Sequence, residues 1–334
     1  MAPFGKAVLC CLAVLWSPPE PGRAADTGPP LALERTIPLA GVSGRIDHMA
    51  VDLGRMRLFV AELGQGAVDV VDLMAGKVIH RIDGLREPQG IGFAPAVDLV
   101  AVASAGDGSV RLFRGDDFRP AGVIALGEDA DNVRVDPRTG QFVVGYGGGH
   151  LAVLNAAARS VAADIALAAH PEGFQLDPGA GRAFVNVPDA GQVAVVDVAA
   201  GKQVAGWRVP GLHGNFPMAL DSAGTALATV FRNPPRFVAL DTKTGAVTAN
   251  LATCGDADDV FWDAKRERFY VSCGVGEVEV VQRNATGYRS LAQISTRVGA
   301  RTSLFVPELD RLFVAARSGA AAAEAAILVF RAVP

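Results

Sequence analysis

The stretch "TCGDADDVFWD" (Thr253 to Asp263) packs Asp256, Asp258 and Asp259 into four positions and closes on Asp263. A similar stretch, "GEDADNVRVD" (Gly127 to Asp136), carries Asp129, Asp131 and Asn132. Carboxylates spaced this way could give oxygen ligands to a hard divalent cation, or, with histidine nearby, could help to hold a transition metal. Crowding would also raise some of their pKa values, as general acid or base chemistry requires. The competing reading is architectural, because aspartates ahead of strands accept backbone N–H bonds and lock turns. No Ser-His-Asp order, H-E-x-x-H or P-loop is present. "GYGGGH" (Gly145 to His150) lies between two strands rather than ahead of a helix, so it reads as a tight turn and not as a phosphate cradle.

The cysteines bear on the compartment. Lys6, the apolar run "AVLCCLAVLW" (Ala7 to Trp16) and the small residues Gly22 and Ala24 have the layout of a cleavable export signal over residues 1–24. That run is too short to span a bilayer, and no later segment is long enough, so no transmembrane segment is expected in the mature chain. Loss of Cys10 and Cys11 with the signal leaves Cys254 and Cys273, which are expected to form one disulfide in an oxidising compartment. The expectation is a periplasmic or secreted monomer in which residues 25–334 form one domain. A formal net charge of -4 and the absence of any Lys/Arg-rich run exclude nucleic acid as a partner.

The elements that position these residues follow from an internal repeat. One unit, His48 to Ile82, reads as four short strands rich in Val, Ile and Phe, separated by Gly-containing turns. Its first-strand anchors recur at Met49, Ile91, Val133, Phe174, Met218, Val260 and Ser303, spaced by 42, 42, 41, 44, 42 and 43 residues. The third strand ends at Asp72, Arg114, Asn155, Asp197, Asp241, Gln282 and Arg331 with the same period. Four-stranded units of about 40–45 residues are propeller blades, and seven copies predict an all-β, seven-bladed β-propeller. The seventh unit lacks a fourth strand, and the orphan strand "LALERTIPLAG" (Leu31 to Gly41) is expected to complete it from the N-terminus.

Counting back from the anchors predicts a polar, mostly acidic funnel at one mouth of the central channel. Two positions before them lie Asp47, Gln89, Asp131, Glu172, Phe216, Asp258 and Arg301; one position before them, the column includes His48, Asn132 and Asp259. His170 and His213 fall in the same set of loops. Asp47, Asp131 and Asp258 are the candidate ligands of a divalent cation, which is the cofactor this pattern admits.

"RLFVAELGQGAVDVVDLMAGKVIHRI", "RAFVNVPDAGQVAVVDVAAGKQVAGW" and "RFYVSCGVGEVEVV" resemble the YVTN-type β-propeller repeat of exported bacterial proteins. The resemblance spans essentially the whole mature chain. It implies the fold but leaves function open, since this scaffold hosts many activities. The leading expectation is a non-catalytic propeller that binds a partner protein or a small ligand at the channel mouth. The alternatives are a metal-assisted, lactonase-like hydrolase, with His48 or His170 moving protons, and an accessory propeller of a periplasmic dehydrogenase system.

Overall fold

The computed structural model describes residues 1–2, 28–177, 179–319 and 324–334. The expected export signal, with Cys10 and Cys11, lies outside the described residues apart from Met1 and Ala2. Seven four-stranded antiparallel sheets form the blades of a β-propeller. Blade 1 consists of Met49–Asp52, Arg57–Glu62, Ala67–Asp72 and Lys77–Ile82. The first strands of blades 2 to 7 are Pro88–Ala94, Ala130–Val135, Phe174–Asp177, His213–Leu220, Ala257–Asp263 and Ser303–Val306.

The predicted anchors are structurally equivalent. Met49 pairs with Val60, Ile91 with Val102, Val133 with Val144, Phe174 with Val185, Met218 with Thr229, Val260 with Val271 and Ser303 with Val314. Second strands such as Arg57–Glu62 and Arg182–Val187 are buried at every position after the first, because neighbouring blades cover both faces. That is why they read as unbroken apolar runs. Outer strands such as Lys77–Ile82 stay largely exposed and carry the charges. Third strands are tied to fourth strands by aspartates: Asp72 Oδ1 accepts the amides of Met74 and Ala75 at 2.8 Å each, and Asp241 Oδ1 accepts those of Lys243 and Thr244.

Around the channel the first strands approach closely enough to dictate glycine. A Cβ on Gly90 would stand 2.1 Å from the carbonyl oxygen of Asp131, and one on Gly173 would stand 2.6 Å from that of Phe216.

The ring closes as the sequence predicts. Leu31–Pro38 pairs antiparallel with Ala326–Ala332, the third strand of blade 7, from Leu31↔Ala332 to Pro38↔Ala326. Ile37 and Leu39 are fully buried in an apolar cluster shared by blades 7 and 1, with Leu58, Val71, Phe313 and Ile327. Outside it, Arg311 forms a two-pronged ion pair with Glu34 at 2.6 and 2.8 Å. In blade 6, Cys254 and Cys273 lie at disulfide distance (S–S 1.99 Å, Cα–Cα 5.9 Å) and tie the loop before the first strand to the end of the second.

Two outcomes are expected. Ile37→Ala should lower stability by about 2–5 kcal/mol, read as a shifted urea midpoint; an unchanged midpoint would mean that the seam contributes nothing. Reduction of Cys254–Cys273, which are 19 residues apart, should cost about 3 kcal/mol, seen as a lower Tm with two newly titratable thiols.

Candidate functional site

The acidic stretch is divided among different tasks. Asp256 sits at φ 59, in the left-handed region, and its carbonyl accepts the Gly274 amide at 2.8 Å. Asp129 in blade 3 has φ 32 and accepts the Gly147 amide in the same way. These two shape loops. Asp263 accepts hydrogen bonds from Arg266 at 2.9 Å and from the Tyr270 hydroxyl at 2.7 Å, which makes it a buried turn residue far from chemistry.

Asp258 and Asp259 face the channel. Asp258 is clamped by two guanidinium groups, Arg232 from blade 5 at 2.5 Å and Arg301 from blade 7 at 2.8 Å. Arg232 also donates to the Ala257 carbonyl at 2.8 Å and lies 3.7 Å over the ring of Phe216. Arg301 reaches Asp256 at 2.9 Å. Burial pushes the Asp258 carboxyl upward, against both arginines. Asp259 accepts the amide of Ser303 at 2.7 Å, bonding blade 6 to blade 7, and stands 3.6 Å from His48 Nδ1.

His48 bridges two acids, since its Nε2 lies 3.6 Å from Asp47. Burial disfavours the imidazolium, but Asp259 and Asp47 outweigh that cost and hold the His48 pKa at about 10. Asp47 is almost fully buried and lies 2.8 Å from Arg45, but neither of its carboxylate oxygens has an aligned hydrogen-bond donor among the described residues. Desolvation raises it to about 6. Across the channel, His170 Nδ1 bonds the Gly147 carbonyl at 2.7 Å while Nε2 faces Asp131 at 3.8 Å. The carboxylates of Asp131 and, at 3.6 Å, Asp129 raise its pKa to about 9. Burial, reinforced by Asp131, raises Glu172 to about 8, so this acid is neutral near pH 7.

Most of the predicted residues therefore converge. His48, Gln89, Asp131, Asn132, Glu172, Asp258 and Asp259 line one constriction of about 20 Å³, room for about one water. Asp47 and Arg301 brace it from behind. His213 is exposed at the start of its strand and does not line the constriction. Among the described residues, no three His, Cys, Asp or Glu side chains stand close enough together to hold a metal ion, Asp47, Asp131 and Asp258 included. The funnel is also less acidic than its column of carboxylates implies. Arg45, His48, His170, Arg232 and Arg301 stand against Asp47, Asp129, Asp131, Asp256, Asp258 and Asp259, while Glu172 keeps its proton.

Arg134 is the lining residue that the column reading misses. It follows the anchor Val133, where the other blades carry Ala50, Gly92, Gln175, Ala219, Phe261 and Leu304. It is the one charge in that column, which the repeat alignment alone could have revealed.

A second unusual group lies in blade 1. Glu62 and Asp69 are fully buried and share one cation, Arg81, which grips Asp69 at 2.7 and 2.8 Å and stands 3.6 Å from Glu62. Two buried carboxyls with one guanidinium cannot both ionise cheaply, and burial together with Asp69 raises Glu62 to about 9.

No family model matches the chain, and no curated protein matches it in sequence. Solved structures share its fold. A chain of the Kuenenia stuttgartiensis hydrazine synthase structure superposes with a TM-score of 0.71 at 16% identity, over 82% of this chain and 94% of that one. A chain of the mitotic checkpoint complex crystal structure superposes with a TM-score of 0.79 at 12% identity, over 98% of this chain and 99% of that one. At such identities the likeness concerns the propeller alone.

Asp47, Glu62, Glu172, His48 and His170 all hold protons more tightly in the folded state than in the unfolded chain. Between their ordinary and native pKa values the native state binds the extra protons, so stability falls as pH rises. The acids act from about pH 4–5 upward and the histidines from about 6.5 to 9–10. Tm should be higher near pH 5.5 than near pH 9, and Glu62→Gln, which mimics the protonated acid, should flatten the difference. A Tm that rises across this range would contradict the assignment.

Proposed function

We propose that this protein is an exported β-propeller of the YVTN-repeat kind that acts as a binding module, recognising a partner protein or small ligand through the charged collar at its channel mouth. The carrying observation is the clamp of Asp258 between Arg232 and Arg301, continued around the ring by His48, Asp47 and His170. Repeat symmetry accounts for the recurring acids Asp47, Asp131 and Glu172 but not for the clamp, since Gln89, Phe216 and Arg301 fill the other equivalent positions and only blade 7 supplies an arginine there. Ionisable groups held partly desolvated at the end of a rigid scaffold cost stability, and recognition is the usual return on that cost. A constriction with room for about one water favours recognition by the collar's rim and its surrounding loops over engulfment of a large ligand at this end.

The Cys254–Cys273 pair supports residence in an oxidising compartment, periplasmic or extracellular. A solved propeller of this shape belongs to an assembly named as a complex, which supports partner binding as one use of the scaffold. The hydrolase reading would need a set of grouped metal ligands, and the acids at the mouth are instead paired with arginine and histidine.

The double variant D258N/R301Q tests the collar. Immobilised wild-type protein should retain a defined species from an extract of the compartment, with retention falling as salt rises. The variant should lose that species while melting within a few degrees of wild type. Identical captured sets would refute the mouth as the recognition face.

A further inference from the structure

Below the constriction the channel widens into a chamber of about 330 Å³. Its wall is apolar along Val51, Ile91, Phe93, Val135, Val260 and Leu304, and polar where His48, Gln175, Asp259 and Ser303 reach it. Arg134 lines both the constriction and the chamber, at the boundary between the two. One of its N–H groups donates to the Val133 carbonyl at 2.9 Å, and one face of the guanidinium lies 5.4 Å over the ring of Phe174. Among the described residues its remaining N–H groups have no hydrogen-bond partner, and no carboxylate lies within ion-pair distance. The nearest acids in the field, Asp131 and Asp259, already face His170 and His48. Burial depresses the Arg134 pKa in spite of those two acids, which is the signature of an undercompensated cation. A guanidinium presents a planar fork matched to a carboxylate, and this half-buried one turns its unpartnered N–H groups to the channel.

We propose that the channel chamber binds a small monocarboxylic acid, with its carboxylate on Arg134 and its apolar body against the aliphatic and aromatic wall. This rests on the binding-module reading but assigns the ligand to the chamber rather than to the collar. The polar constriction then acts as the closed end of the site, and the acid enters from the wider end.

Calorimetric titration of the full chain with 4-phenylbutyrate and with its uncharged amide tests the proposal. Wild type should bind the acid at least about tenfold more tightly than the amide, as expected for one charge-assisted contact in a buried setting. Arg134→Gln should abolish that preference and, by removing a half-buried charge that has no ion-pair partner, should melt at or above wild type without ligand. Arg134→Lys should retain part of the preference. Equal affinity for acid and amide, no binding of either up to their solubility limit, or a preference that survives in Arg134→Gln would each overturn the proposal. The acid-to-amide comparison on wild type stands even if a variant fails to fold. D258N/R301Q should keep the preference; if it loses its captured partner while wild type shows no preference for the acid, the collar reading stands and the chamber reading falls.

Discussion

A ring of seven sheets is held by a single seam. Every blade except the last is continuous in sequence, so its four strands meet through short turns and need little beyond local geometry to assemble. Blade 7 alone joins residues from opposite ends of the chain, through the register from Leu31↔Ala332 to Pro38↔Ala326. The cluster around Ile37, Leu39, Phe313 and Ile327 converts that pairing into a packed interface with blade 1. Without it, two sheet edges would stand open and the channel would lose its fixed diameter. The geometry of the collar depends on that closure, because its contacts run between blades: Asp258 to Arg232 and Arg301, Asp259 to Ser303, His48 to Asp259.

The collar shows how a ring alters the meaning of charge. Along the sequence, Asp256, Asp258 and Asp259 look like a local excess of negative charge. In space each is answered by a residue from another blade, and the histidines are driven to their cationic forms by the acids beside them. The outcome is a band of alternating charge rather than an acidic bowl. Alternating charge suits selective contact with a complementary surface better than it suits trapping a bare cation, for which several oxygens must converge on one point.

The fold was legible because the repeat carries it. Period, strand ends and turn aspartates are local patterns, repeated often enough to cancel local noise, and the seam follows from a last unit one strand short; Asp72 and Asp241 lock their turns. Most of the lining could also be read, since the anchors fix which residues reach the mouth. The partners could not. Arg232 and Asp258 lie 26 residues apart, and nothing in either segment specifies that their side chains meet. His213 shows the same limit from the other side: it falls in the same set of loops as His170, but the longer first strand of blade 5 leaves it exposed. Arg134 stands as a lone cation in an otherwise uncharged column of the repeat, one step beyond the acids and histidines that mark the mouth.

The position of the seam has a consequence for biosynthesis. Whatever order the inner blades form in, residues 326–332 emerge after every other strand of the ring, and until then the strand Leu31–Pro38 has no partner. Each nascent chain is thus an open arc with one waiting edge, and the pairing of the ring's first and last strands is the one that completes it. Ring closure is therefore a single late event, and a chain that stalls before it presents its unpaired edge strand to whatever lies nearby.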